Sequence, residues 1–426
     1  MQAKPQTDEQ GAVPGGAPHP RLRLRLRWQG TDAPVLIPDD PALIGGLAAT
    51  QGGWPATACP DPISMPELAL VKTGPRGSYA LWSRHLDQPL EGLGLAGTIC
   101  AINADLIESY LSCRPDLSGL HAGGAVIGGR LIALTGEAGS GKSTLIARLS
   151  AEPDIAIFCD DILPVAPDGT AIALGLATRL RLPLPPRASA RLVDHVARYR
   201  GPADADYSYL APPNQVPHGA MAPLRAVIAL DRSDDDGPAR LEWLDPGSMT
   251  RLMLLQNVAV NRSSAEAMAR AQTLAAAGPA LRLVYSDLED AVSLLRRAFG
   301  GERMLPEGLP VGPARQLVQQ PLVREIPVDP ARSWQRIEGT ILHQRGSAGF
   351  LARKDGATIW TLDRTALAVW MMLEHPGSAA GMAEILAEIF PDQPRRRLAR
   401  DIARLLAGLW AEGLIRPALP SGPGRP

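Results

Sequence analysis

The clearest pattern of apolar and polar positions lies near the end of the chain. Gly349–Lys354 and Ala357–Leu362 flank Asp355-Gly356, a dipeptide typical of a two-residue hairpin turn. Three helices are predicted to follow this hairpin. Asp363 and Ser378 can cap the first two helices, because their side-chain oxygens accept hydrogen bonds from helix N–H groups.

The apolar residues of these helices recur three or four positions apart, so each helix has one face for a core. They are Leu367, Trp370 and Met371; Met382, Ile385, Leu386 and Ile389; and Leu398, Ile402, Leu405, Leu406 and Leu409. Gly413 provides a natural end for the third helix. A hairpin with three short helices predicts a winged-helix-like module over residues 334–418, followed by a tail at 419–426.

The beginning of the chain shows a different period. Residues 21–27 alternate arginine and leucine, which predicts a strand with leucines toward a core and arginines toward solvent or a partner. Residues 1–20 are rich in Pro, Gly and Gln and are predicted to be a disordered leader. Short apolar runs separated by Gly and Pro predict a small mixed α/β domain over residues 21–118.

Strands and helices are predicted to alternate over residues 119–300, which indicates an α/β domain. A hairpin turns at Gly128-Gly129, between Ala125–Ile127 and Arg130–Thr135. The later elements are strands at Ala171–Leu174, Leu224–Leu230 and Leu281–Tyr285 and a helix at Asp287–Phe299. Residues 301–333 are rich in Pro and Gly and are predicted to be a linker.

Composition excludes several classes of protein. The 426 residues include 43 Lys+Arg and 44 Asp+Glu, so the net charge of -1 gives no global attraction to nucleic acid or anionic membranes. No run approaches the roughly 18 apolar residues of a membrane helix, and we expect a cytoplasmic protein. The scattered cysteines, which are Cys59, Cys100, Cys113 and Cys159, predict neither a disulfide framework nor a zinc site.

Only four residues of the chain are lysines, and one of them lies in a glycine-rich motif. The motif fits G-x-x-x-x-G-K-[ST], the P-loop that holds nucleotide phosphates. Backbone N–H groups and the start of the next helix would bind the phosphates of ATP, Lys142 would reach the β- and γ-phosphates, and Ser143 would ligate Mg²⁺. The predicted nucleotide-binding residues are Gly136, Glu137, Ala138, Gly139, Ser140, Gly141, Lys142, Ser143 and Thr144.

Two adjacent carboxylates follow the next predicted strand. Ile155–Cys159 is apolar and ends at Asp160-Asp161, 18 residues after Lys142. A compact strand–helix–strand unit brings the carboxyl ends of both strands to one edge of the sheet. One of these carboxylates can then hold Mg²⁺, directly or through water, while the other accepts the proton of an attacking hydroxyl. The alternative is that the two acids cap a helix or turn.

Other classes that use a P-loop or transfer phosphoryl groups lack their signatures here. The guanine-reading motif Asn-Lys-x-Asp is missing, since no lysine follows an asparagine. The Leu-Ser-Gly-Gly-Gln signature of transport ATPases and the His-Arg-Asp motif of protein kinases are missing as well.

Residues 118–300 resemble the HPr serine kinase/phosphorylase family. The shared residues are His121-Ala122, the loop GEAGSGKST, the strand end CDDILPV at 159–165 and Leu180-Arg181-Leu182-Pro183. The resemblance implies a kinase, a homo-oligomer, a histidine near the phosphates at His121 and a catalytic base at Asp161. The chain departs from the family pattern at Ala138, usually a serine, and at Thr144, usually a glutamate. Arg179 and Arg181 can neutralise the transferred phosphoryl group or form surface ion pairs.

Residues 334–418 resemble PqqD-like peptide chaperones, through GFLARKDGATIWTLD, RTALAVWMML, the Phe390–Asp392 turn and LWAEGLI. In that family a leader peptide adds a strand to the sheet edge and packs against a helix. The resemblance implies an edge strand facing the third helix and formed by Ala357, Thr358, Ile359, Trp360, Thr361 and Leu362. An ordinary winged helix is the alternative explanation of the same pattern.

Together these features lead to the hypothesis of an ATP- and Mg²⁺-dependent kinase that phosphorylates a serine or threonine of a ribosomally made precursor peptide. Its catalytic residues would be Asp161, Asp160, His121 and Lys142, and its leader-binding module would be residues 334–418. One alternative is a kinase of an HPr-like small protein. Others are a substrate-free ATP sensor and a nucleotide-gated DNA-binding regulator, for which the third helix offers Arg395, Arg396, Arg397, Arg400 and Arg404. Binding to membranes is not expected, and binding to nucleic acid is the less favoured reading.

Overall fold

The computed structural model describes residues 23–59, 66, 68–73, 78–137, 139–233, 237–258, 263–315, 329–353, 359–391 and 393–418. The predicted leader at 1–20, Ala138, the Asp355-Gly356 turn, Ala357, Thr358 and the tail at 419–426 lie outside these residues. None of the helices within the described ranges is long and apolar enough to cross a membrane. The fold is mixed α/β, as predicted.

The N-terminal unit is a six-stranded sheet with two helices. Leu24 and Leu26 pack against its core, which confirms the inward direction predicted for the leucines. The sheet order is β3-β1-β2-β4-β5-β6. The elements are β1 Arg23–Trp28, β2 Val35–Pro38, α1 Pro41–Thr50, β3 Ala56–Ala58, β4 Leu68–Lys72, β5 Tyr79–Ser83, β6 Leu90–Leu93 and α2 Leu95–Ser112.

The central unit is built on a nine-stranded sheet in the order β11-β10-β7-β8-β15-β17-β16-β18, with β9 paired to β7 and β11 also paired to β15. A small second sheet has the order β12-β14-β13. The elements are β7 Ser118–Ile127, β8 Arg130–Thr135, α3 Lys142–Leu149, β9 Ala156–Cys159, β10 Ile162–Val165, β11 Thr170–Ile172, β12 Thr178–Arg181, α4 Ala190–Arg198, β13 Arg200–Ala203, β14 Tyr207–Leu210, β15 Met221–Arg232, β16 Arg240–Leu244, α5 Pro246–Leu255, α6 Ser264–Ala275, β17 Ala280–Tyr285, α7 Leu288–Phe299 and β18 Val311–Arg315.

Strand β7 lies between the two strands that carry the predicted site. It pairs antiparallel with β8 and, on its other side, antiparallel with β9. Strands β8 and β9 therefore run in the same direction, as predicted, although β7 separates them. The turn at Gly128-Gly129 joins β7 and β8 into the predicted hairpin.

The predicted linker contains regular structure. Strand β18 lies within residues 301–333 and pairs parallel with β16, from Leu241 opposite Val311 to Leu244 opposite Arg315. The Pro/Gly-rich composition predicted a linker. The strand forms nevertheless, because strand pairing uses backbone groups, which Val311–Arg315 provide whatever the composition of the segment around them. The pairing covers the edge of β16, which would otherwise expose unpaired backbone groups.

The C-terminal unit combines three helices with two three-stranded sheets, in the orders β20-β21-β22 and β23-β19-β24. Asp363 and Ser378 accept hydrogen bonds from Ala366 N (2.8 Å) and Gly381 N (3.2 Å), which confirms both caps. Strand β20 adds a third strand to the predicted hairpin. The elements are β19 Ser333–Arg336, β20 Thr340–Arg345, β21 Ala348–Arg353, β22 Ile359–Leu362, α8 Arg364–Met372, β23 Gly377–Ser378, α9 Ala379–Ile389, α10 Arg395–Ala411 and β24 Ile415–Pro417.

The sheet β20-β21-β22 packs against helices α5 and α6 of the central unit. Ser264 Oγ, on α6, donates to the carbonyl oxygen of Arg353 at 3.1 Å. Ser264 and Met268 also line a shallow pocket together with Ile341, Phe350 and other residues of the sheet. The C-terminal unit is therefore seated directly on the central unit.

A buried ion-pair network stabilises the helix α3 that follows the glycine-rich loop. Arg148, with 2% of its side chain exposed, contacts Glu152 at 2.6 Å and both carboxylate oxygens of Glu289. Glu152 is 3% exposed and also pairs with Arg191 and Arg296. Removal of Arg148 would leave a buried carboxylate without its closest partner.

We expect Arg148→Ala to lower the free energy of unfolding by about 3 kcal/mol, because Glu152 and Glu289 both lose the buried guanidinium group that contacts them. Arg191→Ala is the matched control: Arg191 contacts the same Glu152 at 3.0 Å but is 53% exposed. It should cost less than about 1 kcal/mol. Thermal and denaturant unfolding measure the stability of both variants. Equal losses of unfolding free energy would contradict the greater contribution of the buried arginine.

Candidate active site

The glycine-rich loop connects β8 to α3 and depends on backbone conformations that favour glycine. Gly139 and Gly141 have φ values of 85° and 92°. A Cβ on Gly141 would lie 2.5 Å from the Tyr285 hydroxyl oxygen, which donates to the carbonyl oxygen of Ser140 at 3.1 Å. The loop is thus held by both its glycines and a tyrosine from β17.

The side chain of Lys142 folds back over this loop. Its Nζ donates to the carbonyl oxygens of Gly136 (2.7 Å) and Glu137 (3.2 Å), and the residue is 8% exposed. Burial lowers the pKa of Lys142, while the charges of Asp161 and Asp160 oppose that shift. The ammonium group therefore lies inside the loop and in the field of the acid pair.

The two adjacent aspartates occupy different environments. Asp160 is 8% exposed; its Oδ2 accepts from the backbone N–H of Arg179 at 2.9 Å, and its Oδ1 is buried without a hydrogen-bond partner. Burial raises the pKa of Asp160 to about 6. The hydrogen bond to His121 lowers the pKa of Asp161, and the charges of Arg179 and Lys142 act in the same direction.

Strand pairing brings His121 to Asp161. His121 lies on β7 opposite Ile162 of β10, and the Ala122 N–H donates to the Asp161 carbonyl oxygen at 3.0 Å. The imidazole Nε2 is 3.3 Å from Asp161 Oδ1, whose side chain is 54% exposed. An exposed, paired carboxylate beside a buried one gives the site two chemically distinct acids.

A divalent cation fits the buried part of the site. Asp160 Oδ1 has no hydrogen-bond partner among the described residues, and the Ser143 side chain acts on the Asp160 carboxylate to lower its pKa. Mg²⁺ takes oxygen ligands and is usually held by one or two protein groups with waters and phosphates. No group of three or more His, Cys, Asp or Glu that could hold a metal occurs in the described ranges.

Helix α2 of the N-terminal unit forms one wall of the site, which the sequence pattern did not indicate. Cys100, Asn103 and Ile107 line a pocket that also includes the acid pair and Tyr209. The Arg179 guanidinium contacts Cys100 Sγ and lies over the Tyr207 ring. The apolar residues Ile99, Ile102 and Leu106 recur at helical spacing, a signal that could have located this helix but not the surface on which it packs.

Arg251 is a second residue that sequence reasoning missed. It lies half-buried on α5 and forms no hydrogen bond or ion pair with the residues that the structure describes. Burial lowers its pKa, and the charge of Glu137 in the loop opposes this shift. The end of the same helix reaches the site, since the Gln256 carbonyl oxygen accepts from His121 N at 2.7 Å. Arg181, in contrast, is exposed.

The predicted peptide-binding strand lies at the end of its sheet. Ile359–Leu362 form β22, which pairs with β21 alone among the described strands. The Trp360 ring lies against Gly408 of α10, where a Cβ would be 3.1 Å away. The edge strand therefore borders the third helix, as expected. Ala357 and Thr358 belong to the same prediction but lie outside the described residues.

Comparison with known proteins identifies the C-terminal unit. Residues 341–415 match the family model Coenzyme PQQ synthesis protein D (PqqD), which confirms the predicted PqqD domain. The chain is also similar to a solved structure of the Hpr(Ser) kinase/phosphatase from Coxiella burnetii, with 16% identity, a TM-score of 0.21 and coverage of 42% of this chain and 95% of that one. None of the curated proteins compared with the chain matches it.

The opposite pKa shifts of the acid pair predict opposite effects of removing each charge. The pKa of Asp160 is raised above its unfolded value near 3.8, so its ionisation destabilises the folded chain as pH rises through about 6. The pKa of Asp161 is lowered, so its ionised form stabilises the folded chain above its usual titration range. At pH 8 we expect Asp160→Asn to raise the melting temperature and Asp161→Asn to lower it.

Melting curves at pH 8 and pH 5 check this prediction on the ligand-free protein. The gain from Asp160→Asn should shrink at pH 5, where the wild-type carboxyl is already protonated, whereas the loss from Asp161→Asn should persist. Melting temperatures that shift in the same direction in both variants at pH 8 would contradict the different environments of Asp160 and Asp161.

Proposed function

We propose that this protein is an ATP-dependent kinase that phosphorylates a serine or threonine of a ribosomally made precursor peptide, whose leader the PqqD domain captures. One observation carries the proposal: a lysine-bearing glycine-rich loop and an acid pair lie at one sheet edge, in a chain that also contains a PqqD domain.

The loop supplies the phosphate site. Its N–H groups and the start of α3 provide partial positive charge for the nucleotide phosphates. Lys142 would exchange its two carbonyl contacts for oxygens of the β- and γ-phosphates. Arg179 and Arg251, both partly buried near the loop or the acid pair, would neutralise charge that develops on the transferred group.

Asp161 has the properties required of the base. It is exposed, and its lowered pKa keeps it ionised at neutral pH. The acceptor hydroxyl oxygen forms a bond to the γ-phosphorus while the bond from the γ-phosphorus to the bridging oxygen breaks, which releases ADP. Asp161 takes the hydroxyl proton, and His121 orients the carboxylate through its Nε2 contact. Ser143 and Asp160 would hold Mg²⁺, which neutralises phosphate charge.

The PqqD domain supplies specificity through a separate surface. A leader peptide would pair with the edge of β22 that lies opposite β21 and pack against α10. Backbone pairing gives affinity with little dependence on sequence, while alternate side chains select the peptide. Tethering the leader raises the local concentration of the acceptor residue at Asp161.

We expect Lys142→Ala to reduce phosphate transfer by at least about 10²-fold, because it removes a fixed charge from the developing transition state. Intact-mass analysis of short peptides encoded beside this gene, incubated with Mg·ATP and the full chain, measures the transfer. Lys72→Ala is the matched control, since Lys72 pairs with Asp40 in the N-terminal unit at 2.7 Å.

The outcomes of this experiment separate the proposal from its competitors. A gain of one phosphate that requires Lys142 and not Lys72 supports a peptide kinase. Transfer to an HPr-like protein alone would replace the substrate with that protein. ATP binding without transfer to either substrate would favour a nucleotide sensor.

Leader capture has its own prediction. We expect Trp360→Ala to weaken leader binding by at least about tenfold, because it removes the aromatic wall between β22 and α10. Trp410→Ala is the control: Trp410 is 40% exposed on α10 and packs on Trp334 instead. Fluorescence anisotropy with the labelled peptide measures both, and equal effects would place the leader elsewhere.

A further inference from the structure

The pocket beside the acid pair has a polar part and an aliphatic part. Its lining includes, in the polar part, Asn103, Arg179, Tyr209 and the acid pair, and, in the aliphatic part, Ile107, Leu174 and Leu176. The pocket reaches solvent at Asp161, whose side chain is 54% exposed. None of the described residues of the glycine-rich loop lines it, although Lys142 and Ser143 both act on the acid pair. The pocket is therefore a surface separate from the loop, and the two meet at the acid pair.

Strand pairing directs Tyr209 into the polar part of the pocket. Tyr209 lies on β14 directly opposite Arg179 of β12, so both side chains project from one face of the small sheet. The Arg179 backbone N–H donates to Asp160 Oδ2 at 2.9 Å, which holds this sheet beside the acid pair. Burial raises the pKa of the Tyr209 hydroxyl, so the group stays protonated at neutral pH and can donate a hydrogen bond.

The N-terminal unit fixes the facing wall of the pocket. Asn103 is buried on α2, and its Oδ1 accepts from Gln51 Nε2 at 2.5 Å. Asp204, in the turn between β13 and β14, accepts from the Gly97 N–H in the first turn of α2 at 2.9 Å. Helix α2 is thus tied to the same small sheet that carries Tyr209, and the N-terminal unit forms part of the pocket by direct contacts.

We infer that this pocket binds the acceptor segment of the substrate and selects a segment with an aliphatic residue next to the acceptor serine or threonine. The inference rests on the proposed kinase function. The acceptor hydroxyl lies at Asp161, and the neighbouring side chain packs on Ile107, Leu174 and Leu176. Tyr209 positions the segment, because its hydroxyl can donate to a backbone carbonyl oxygen of the bound chain.

The chemistry of the pocket favours the acceptor over the nucleotide as the occupant. The phosphates are accounted for by the loop and the start of α3, and in-line transfer needs the acceptor oxygen and the leaving oxygen on opposite sides of the γ-phosphorus. The aliphatic wall offers no ligand to phosphate oxygens. It stabilises an aliphatic side chain by removing it from water, whereas a charged side chain loses hydration there.

The test measures phosphate transfer from Mg·ATP by the full-length protein to synthetic precursor peptides encoded beside this gene. Each peptide keeps its leader, and the residues beside its serines and threonines are replaced in turn by Val, Asp and Lys. We expect kcat/KM to be at least about tenfold higher for the Val peptides than for the Asp and Lys peptides. Leu176→Lys should reverse this preference in favour of Asp, because it puts a cation in the aliphatic wall. Leu86→Lys is the matched control, since Leu86 is 40% exposed in the N-terminal unit and does not line the pocket.

A second variant tests the positioning role of Tyr209. Tyr209→Phe should raise the KM for the peptide by about fivefold, with little change in kcat or in the KM for ATP, because one hydrogen bond to the bound segment is lost. Tyr207→Phe is the control, since it removes a hydroxyl from the same strand at a residue that does not line the pocket.

The outcomes separate the pocket from the function on which it rests. Equal kcat/KM for the Val, Asp and Lys peptides, with an unchanged peptide KM in Tyr209→Phe, would overturn the pocket assignment and leave the kinase function intact. A rise in the KM for ATP instead of the peptide KM in Tyr209→Phe would assign the pocket to the nucleotide. No transfer to any peptide by the unaltered protein, although ATP binds, would overturn the proposed function and the acceptor pocket with it.

Discussion

Strand β7 is the constraint on which the site depends. Its first residues pair with β10 and its later residues with both β8 and β9. Because β8 and β9 run antiparallel to the same strand, the glycine-rich loop and the acid pair leave the sheet at one edge. The same strand carries His121, so a single element sets the positions of the loop, the carboxylates and the imidazole.

The acid pair shows how two identical side chains acquire different properties from neighbouring positions. Asp160 directly follows β9 and is buried, which disfavours its charge, whereas Asp161 is exposed beside His121 and basic side chains. Paired carboxyl groups with separated pKa values are a common way to divide acid, base and ligand roles. The division here follows from the different surroundings of these two consecutive residues between β9 and β10.

Local patterns predicted the parts of this molecule that are determined locally. The cap at Asp363, the start of α3 at Lys142 and the PqqD segment each depend on residues close in sequence. Strand β18 was missed because its pairing with β16 depends on backbone groups at a sheet edge.

The rest of the site depends on contacts between distant segments. Asn103 lines the same pocket as the acid pair only because the N-terminal unit packs there. Arg251 comes under the charge of Glu137 in the loop only because α5 packs nearby. Neither the periodicity nor the spacing of residues along the chain predicts these contacts.

Helix α5 has a consequence for substrate architecture. Its first turn lies against the β20–β21 turn, where a Cβ on Gly247 would meet the Arg345 carbonyl oxygen at 2.6 Å, and its last turn leads to Gln256 beside His121. A ten-residue helix spans about 15 Å, and an extended chain advances about 3.3 Å per residue. Helix α5 thus sets a fixed distance between the β20–β21 turn and His121. Under the proposed function, this distance would set a minimum length of chain between the leader and the acceptor residue of the substrate.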